Sequence, residues 1–279
     1  YTYSGSKFIN KEKIAEIEHL PNWSINASHV NNDSNLIMII PNNTKELINP
    51  RFNAEIIAYN LQSKKQIVIG GDADLLVKPL FDEKNKTVYY RSTSHNQETR
   101  LIKYNLNTRI KKTIFKTSNE MAIFPIFANK NNLYVIKYDV HGSKLMIISD
   151  MKIKEITHLS DHFTRDWSIS DDKNQLLFIE QEATNQYLQY NLKILNINNQ
   201  EYVEFNFSKD SYAFQKEILS ITGNTTSKNR DAINYFKPIW LNVNEMAFGT
   251  NSVLLQNNQP ISTFNINTSS LDQLIQPLK

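Results

Sequence analysis

The sequence contains no cysteine among its 279 residues. Disulfide bridges, thiolate catalysis and cysteine-ligated zinc sites are therefore excluded. Glycine and proline are scarce, at 6 and 8 residues, so other residues must make most of the turns. No run of about 18 apolar residues occurs, and no stretch of this sequence predicts a transmembrane helix.

A large excess of one charge is also lacking. Lysine and arginine total 31, and aspartate and glutamate total 28, which gives a formal net charge of +3. So small and evenly spread an excess is not the basic footprint of a nucleic-acid-binding surface. The densest basic stretch, residues 109–112, is short and lies among apolar residues. We interpret it as a turn that leads into a strand.

Aromatic and β-branched residues are plentiful, with 13 tyrosines and 14 phenylalanines. These side chains favour pleated, half-buried surfaces. Asparagine is frequent, and it tolerates tight turns and positive φ, so it can replace glycine between strands. The composition therefore predicts a β-rich protein with asparagine-based turns.

Five segments of the chain share one pattern, which is a short apolar strand, a polar turn and a second, more hydrophobic strand. The paired strands are 28–30 with 36–40, 79–81 with 87–90, 125–127 with 133–136, 167–169 with 176–179, and 238–240 with 246–248. Two further strand-like runs follow in each of the first four units: 55–59 and 66–69, 101–104 and 112–115, 144–148 and 153–156, and 188–192 and 202–205. Short strands separated by turns at this spacing are typical of all-β proteins.

The spacing of the units predicts the architecture. The steps between the second strands, counted from Leu36 to Val88, Leu133, Leu176 and Met246, are 52, 45, 43 and 70 residues. A four-stranded propeller blade takes about 40–50 residues. We therefore expect an all-β chain that forms one β-propeller domain, residues 1–279, of five or six four-stranded blades. We expect residues 208–234 to be a surface insertion, with one or two helical turns at 214–221, and the strand 13–17 to close the ring.

One unit resembles a known repeat. Residues 167–178 read Trp-Ser-Ile-Ser-Asp-Asp-Lys-Asn-Gln-Leu-Leu-Phe, which is similar to the TolB-type (WD-type) propeller repeat of an aromatic residue, Ser-Pro-Asp-Gly-Lys and an apolar strand. Residues 156–159 resemble the strand end that precedes this repeat. Every unit lacks the Pro-Asp-Gly turn and has Asn or Lys at the glycine-like place. The resemblance implies a periplasmic protein-binding propeller, the regulatory propeller of a prolyl-oligopeptidase-like peptidase, or the extracytoplasmic part of a membrane-anchored winged-helix regulator of the CadC type.

Motifs for catalysis or cofactor binding are weak. His158 and His162 have the i, i+4 spacing of a zinc pair on a helix, but the repeat places them at a strand end and loop. Residues 70–74, Gly-Gly-Asp-Ala-Asp, lack the ligand ladder of a calcium loop and the Lys-Ser/Thr of a phosphate loop, so we interpret them as a turn between blades. No Gly-x-Ser-x-Gly nucleophile elbow occurs. We therefore predict no catalytic residue, no metal and no cofactor.

The repeat predicts a binding face. The residue before each innermost strand should lie where the central funnel of a propeller opens, and aromatic and arginine anchors are typical of recognition patches. The predicted ligand-binding residues are Trp23, Ala27, Lys78, Phe124, Arg165, Asp166, Phe236 and Lys237. The alternative is that Trp167, Trp240 and the proline residues simply pack between blades.

We therefore expect a non-catalytic binding or sensor domain outside the cytoplasm, in the bacterial periplasm, with a protein or peptide as partner or else a small ligand. We expect no nucleic-acid binding by this segment. The chain starts at Tyr1 and not at Met, so we expect any membrane contact to come through an upstream segment. The alternatives are a propeller enzyme, the regulatory domain of a hydrolase, or a structural scaffold in a larger envelope complex.

Overall fold

A computed structural model describes residues 2–4, 7–10, 26–30, 35–40, 54–93, 98–118, 121–129, 132–183, 188–205, 234–242, 244–251, 261–265 and 270–275. These residues form strands and turns and contain no helix. None of them belongs to a helix that is long and apolar enough to cross a membrane. The expected strand 13–17, residue Trp23 and the expected insertion up to residue 233 lie outside the described residues, whereas Asn234 begins a strand.

The described strands form five four-stranded sheets and one hairpin. The hairpin is β1 (Thr2–Ser4) and β2 (Lys7–Asn10), and the first sheet is β3 (Asn26–Val30), β4 (Asn35–Ile40), β5 (Ala54–Asn60) and β6 (Gln66–Ala73). The second sheet is β7 (Leu80–Asp82), β8 (Thr87–Thr93), β9 (Thr99–Asn105) and β10 (Lys111–Thr117), and the third is β11 (Ala122–Asn129), β12 (Asn132–Asp139), β13 (Gly142–Ser149) and β14 (Lys152–Ser160).

The last two sheets complete the series. The fourth is β15 (Phe163–Ile169), β16 (Gln175–Ala183), β17 (Leu188–Asn196) and β18 (Tyr202–Phe205), and the fifth is β19 (Asn234–Asn242), β20 (Glu245–Asn251), β21 (Ile261–Asn265) and β22 (Ser270–Ile275). In every sheet the strands lie side by side in chain order. The five four-strand units predicted from the repeat are confirmed, and so is the turn at 109–110 that leads into β10.

Asparagine makes equivalent turns in three sheets. Asn60, Asn105 and Asn196 each end the third strand of a sheet, and the Oδ1 atom of each accepts hydrogen bonds from the backbone N–H groups two and three residues later. The fifth residue of each turn has a positive φ, at Lys64, Arg109 and Gln200. A local side-chain acceptor thus stabilises turns in a chain that has few glycines.

The turns between first and second strands follow the same principle. Lys86 and Lys173 have φ values of 48° and 63° at the places where the related repeat has glycine. Ser170 Oγ donates to Asp172 Oδ1 over 2.6 Å, and the same oxygen accepts from Asn174 N at 3.1 Å. The hydrogen bonds of the turn therefore stabilise a positive φ that glycine would adopt without strain.

The chain divides into two compact units. One comprises residues 13–140 and 144–158, and its core joins facing surfaces of the first and second sheets, with Ile39, Ile56, Val88, Tyr90 and Ile102 among its buried residues. The opposite face of the second sheet packs on the third. Because both faces of β8 are covered, all of its residues are buried.

The other unit comprises residues 1–12, 141–143 and 159–279. Its buried core includes Leu176, Phe178, Leu192, Leu195 and Met246, which come from the fourth and fifth sheets. Apolar residues thus fill the central strands of the sheets in each unit, and the polar residues collect at the strand ends.

Candidate functional site

With the exception of Thr87, the buried polar side chains of the second sheet lie at one end of it. We call this the entry end, meaning the end of a sheet at which its first strand begins, its second ends and its third begins. The buried polar residues there are Asp74, Arg91, Ser92, Thr93 and Thr99. Burial of a polar group costs free energy unless the group is hydrogen-bonded, so the contacts of these residues indicate what the end is built to do.

Arg91 and Asp74 form a buried ion pair at this end, with side chains 3% and 0% exposed. Arg91 donates from Nε and Nη2 to Asp74 Oδ2 over 3.2 and 2.6 Å. Its Nη1 donates to the carbonyl of Met121 at 3.2 Å, and its guanidinium carbon lies 5.9 Å from the ring centre of Phe124. One arginine therefore fastens both the segment before β7 and the start of β11 to the end of β8.

The ion pair fixes the turn of residues 74–78, called the 74–78 turn below. Asp74 Oδ1 accepts a hydrogen bond from Leu76 N at 3.0 Å, and the Asp74 carbonyl accepts one from Val77 N at 3.1 Å. Leu75 and Val77 are 5% and 1% exposed, whereas Leu76 between them is 63% exposed. Lys78 is exposed as well. The turn thus exposes an apolar and a cationic side chain to solvent, while hydrogen bonds to the buried Asp74 fix its backbone.

A second set of charges lies between β6 and the second sheet. Asp72 Oδ1 accepts hydrogen bonds from Tyr90 Oη at 3.1 Å and Lys111 Nζ at 3.0 Å. Gly70 leaves room for them, since a Cβ there would lie 2.8 Å from Tyr90 Oη. Burial alone would raise the pKa of Asp72, but the bonds from Lys111 and Tyr90 and the charges of Lys111 and Arg100 hold it below its ordinary value. The Asp72 carboxylate therefore stays ionised.

The fourth sheet carries a polar cluster at its own entry end. Ser160 Oγ donates to Glu180 Oε1, while Glu180 Oε2 accepts from Asn191 Nδ2 at 3.1 Å and pairs with Lys193 Nζ at 2.7 Å. Burial alone would raise the pKa of Glu180, but the bonds from Lys193, Ser160 and Asn191 hold it below its ordinary value. Glu180 is thus an ionised acceptor whose partners are already in place, and the cluster stabilises the sheet end.

β15 bulges beside this cluster. Its register against β16 shifts between Arg165 and Ser168, and Asp166 within the shift has a φ of 53°. Arg165 Nη1 forms an ion pair with Asp166 Oδ2, and Trp167 Nε1 donates to Thr164 Oγ1 at 2.9 Å. Bulges re-aim side chains and are frequent next to functional sites. The bulge brings a cation, a carboxylate and an indole together in the middle of β15.

Most of the predicted binding residues lie within strands and not before them. Lys78 does precede its strand, whereas Ala27, Phe124, Arg165, Asp166, Phe236 and Lys237 lie inside the first strand of a sheet. The predicted position just before that strand was therefore wrong for Ala27, Phe124, Asp166 and Lys237, because pairing continues through the bulges that the sequence pattern takes for strand starts. Arg165 and Phe236 were predicted only as their neighbours. The structure pairs Arg165 with Asp166 and sets Phe124 beside Arg91. Their role in binding stays a prediction.

Two other sequence predictions have outcomes here. Residues 70–73 belong to β6, so the turn predicted for residues 70–74 begins only at Asp74. The placement of His158 and His162 at a strand end and the following loop is confirmed, and His162 Nε2 lies 3.8 Å from Glu182 Oε1. Within the described ranges no group of three His, Asp or Glu side chains could hold a metal ion.

Sequence reasoning missed Asp74, Arg91 and Leu76. The ion pair joins residues 17 positions apart, and no local pattern reports such a contact. Leu75, Leu76 and Val77 are three consecutive apolar residues. Because apolar and polar residues do not alternate here, the sequence gives no signal that Leu76 alone faces away from the core.

Solved structures share this architecture of consecutive four-stranded sheets. TolB from Acinetobacter baumannii matches with a TM-score of 0.55 and 13% identity, over 88% of this chain and 52% of that chain. This chain has a TolB-like β-propeller fold. A puromycin-hydrolysing peptidase from Mycobacterium tuberculosis matches the propeller with a TM-score of 0.57 and 8% identity, over 91% of this chain and 37% of that one. A chain of a nidogen/laminin complex matches with a TM-score of 0.50 and 10% identity, over 90% and 79%.

At these identities the likeness shows the fold of the propeller and nothing of its activity. The propeller spans about half of the TolB chain and 37% of the peptidase chain. No family model matches the sequence, and neither does any curated protein. From here on the five described sheets are called blades.

Proposed function

We propose that this propeller is a non-catalytic domain that binds a protein partner through the entry end of its second blade, outside the cytoplasm. The observation that carries the proposal is the 74–78 turn. It presents Leu76 at 63% exposure on a backbone fixed by a buried ion pair. Single exposed leucines are ordinary on protein surfaces, but this leucine lies on a turn that is held by a buried ion pair, and burying the two charges costs desolvation free energy.

A fixed turn suits docking for an energetic reason. Binding loses affinity when a loop must be ordered at the interface, and a preorganised loop avoids that loss. Asp74 accepts hydrogen bonds from the backbone N–H groups of Leu76 and Val77. These bonds order the 74–78 turn before any partner binds. The partner that fits is a protein with an apolar pocket for Leu76 and a carboxylate at its rim for Lys78.

The comparisons support a binding role in a general way. One similar structure is TolB, and another comes from a complex of two proteins, nidogen and laminin. The extracytoplasmic location rests on the TolB likeness. The three structures compared above give no support to the expectation that this chain is the extracytoplasmic part of a regulator of the CadC type.

The test compares two apolar side chains of one protein. Purified wild-type protein, Leu76→Ser and Ile110→Ser are immobilised and exposed to envelope proteins of the organism that encodes the chain, and the retained proteins are quantified by mass spectrometry. Ile110 is the matched control, because it is also 63% exposed but lies between β9 and β10, at the end of the second sheet opposite to the entry end. Loss of a central apolar anchor costs about 2 kcal/mol, or roughly 30-fold in affinity. A partner retained by the wild type and Ile110→Ser should therefore be lost with Leu76→Ser.

A second set of variants tests the predicted face as a whole. Replacing Lys78, Asp166 and Lys237 together by alanine should abolish capture without unfolding the protein. The control replaces Lys65, Lys84 and Asp171, exposed residues in turns between strands, which removes the same charges. Equal capture by both triple variants, or by Leu76→Ser and the wild type, contradicts the proposal.

A second candidate is a regulatory propeller of a hydrolase, which the likeness to the peptidase favours. In that case the encoded protein continues into a hydrolase domain. Removing the propeller from that protein should then change which substrate sizes it cleaves, whereas Leu76→Ser should not.

A further inference from the structure

Arg100, in β9, uses few of its five N–H donors. Nη2 donates to Ser92 Oγ at 3.4 Å and lies 3.9 Å from Asp72 Oδ2. Nε lies 3.3 Å from Glu98 Oε1, which is ion-pair distance, but it makes no hydrogen bond and is shielded from solvent. Among the residues that the structure describes, Nη1 bonds to none. Arg91, in contrast, makes three bonds of 2.6 to 3.2 Å.

Cations outnumber carboxylates around Arg100. Lys111 Nζ lies 3.0 Å from Asp72, and Lys116 Nζ lies 2.8 Å from Glu98. Two carboxylates thus face three cations, and all five side chains are partly open to solvent. The hydrogen bond from Lys116 is the main cause that holds the pKa of Glu98 below its ordinary value. With the lowered pKa of Asp72, this indicates a positive local potential, which attracts anions.

We infer that Arg100 is the centre of a binding site for one carboxylate group. A carboxylate matches the planar fork of a guanidinium, and its single charge balances the one uncompensated cation. Ser92 Oγ accepts from the guanidinium and donates to Asp72 Oδ2 at 3.4 Å, and Lys111 and Lys116 flank the guanidinium. The carboxylate belongs either to a small organic acid or to an acidic side chain of a peptide. The site shares the entry end of the second blade through Ser92, but it includes no residue of the 74–78 turn, so it is tested separately from the proposed function.

The test is a titration of the whole ¹⁵N-labelled protein, followed through the Nε–H signal of Arg100, which is assigned by its absence from Arg100→Gln. The two probes are sodium acetate and the capped peptide acetyl-Ala-Glu-Ala-amide, with ionic strength kept constant by sodium chloride. We expect saturable shifts with a dissociation constant of roughly 1–10 mM for so few contacting atoms. Binding of both probes indicates a general carboxylate site, and binding of one alone identifies the source; each supports the inference.

Variants separate this site from general attraction to a basic surface. Arg100→Gln should raise the dissociation constant about tenfold or more, measured through neighbouring amide signals. Lys112→Gln, which removes the same charge from the exposed edge of β10, should leave it within about twofold. If Arg100→Gln does not fold, Arg100→Lys keeps the charge, loses the fork, and should weaken binding about threefold or more. Shifts that do not saturate, or that the Arg100 variants leave unchanged, overturn the inference, as does equal weakening by Lys112→Gln.

Discussion

Removal of the Asp74 carboxylate should destabilise the protein severely. The variant Asp74→Ala leaves the Arg91 guanidinium 3% exposed without its counter-ion. Breaking a buried pair from one side costs about 3–5 kcal/mol. The N–H of Leu76 also loses its acceptor, which adds about 0.5–1.5 kcal/mol. A loss of about 4–6 kcal/mol is a large part of the roughly 5–15 kcal/mol that stabilises a typical domain.

Equilibrium unfolding in urea measures this loss, with tryptophan fluorescence and circular dichroism as probes. The double variant Asp74→Ala with Arg91→Met removes both charges. It should lose less than the sum of the two single variants by about 2 kcal/mol, because no uncompensated charge stays buried. The control is Glu155→Ala, which breaks the 3.4 Å pair with Lys144 at the surface and should cost less than about 1 kcal/mol.

Two results would refute this reasoning. One is an Asp74→Ala protein no less stable than Glu155→Ala. The other is strict additivity of the Asp74 and Arg91 variants. Either would mean that the pair does not hold the 74–78 turn.

The unit that contains the fourth blade provides two further predictions. Gly142→Ala should cost about 3 kcal/mol or more in thermal unfolding, because φ is +92° and the new Cβ would lie 2.0 Å from the Ser160 carbonyl oxygen. The folded-state pKa of Glu180 is lowered from 4.5, so its stabilisation is complete above pH 4.5 and is lost as the pH falls through the lowered value. The folded-state pKa of Lys193 is raised from 10.5, so its contribution to the stability of the folded state is complete below pH 10.5 and is lost as the pH rises through the raised value. The free energy of unfolding, measured in urea as a function of pH, should therefore fall at both acid and alkaline pH. The fall at acid pH should be shallower in Glu180→Gln.

The repeat units were predictable because they depend on local chemistry. Apolar runs such as β4 and β16 need no distant information, and Asn105 or Lys86 makes its turn with neighbours only two to four residues away. The TolB-like fold follows from repeating such units at blade spacing. Strand starts were predicted less well. Pro125 stands next to the register shift of β11, and a proline in a sheet is compatible with an edge strand or a bulge, so the sequence pattern alone did not reveal that pairing continues before it.

The candidate site was harder to predict because its contacts are long-range. Lys78 could be named from its place in the repeat, but Arg91 meets Asp74 and Met121 only after the sheets have packed. The same is true of Lys111, which reaches Asp72 from 39 residues away. Such pairs leave no periodic signal, since periodicity reports the face of a strand and not its partner.

The central claim is that the 74–78 turn is ordered before any partner binds, and hydrogen exchange tests it most directly. The N–H groups of Leu76 and Val77 both bond to Asp74, so both should exchange slowly in the free wild-type protein, although the Leu76 side chain is in solvent. Protection should be lost in Asp74→Ala. Fast exchange of both amides in the folded wild type would contradict the claim, because the turn would then be as mobile as an ordinary surface loop.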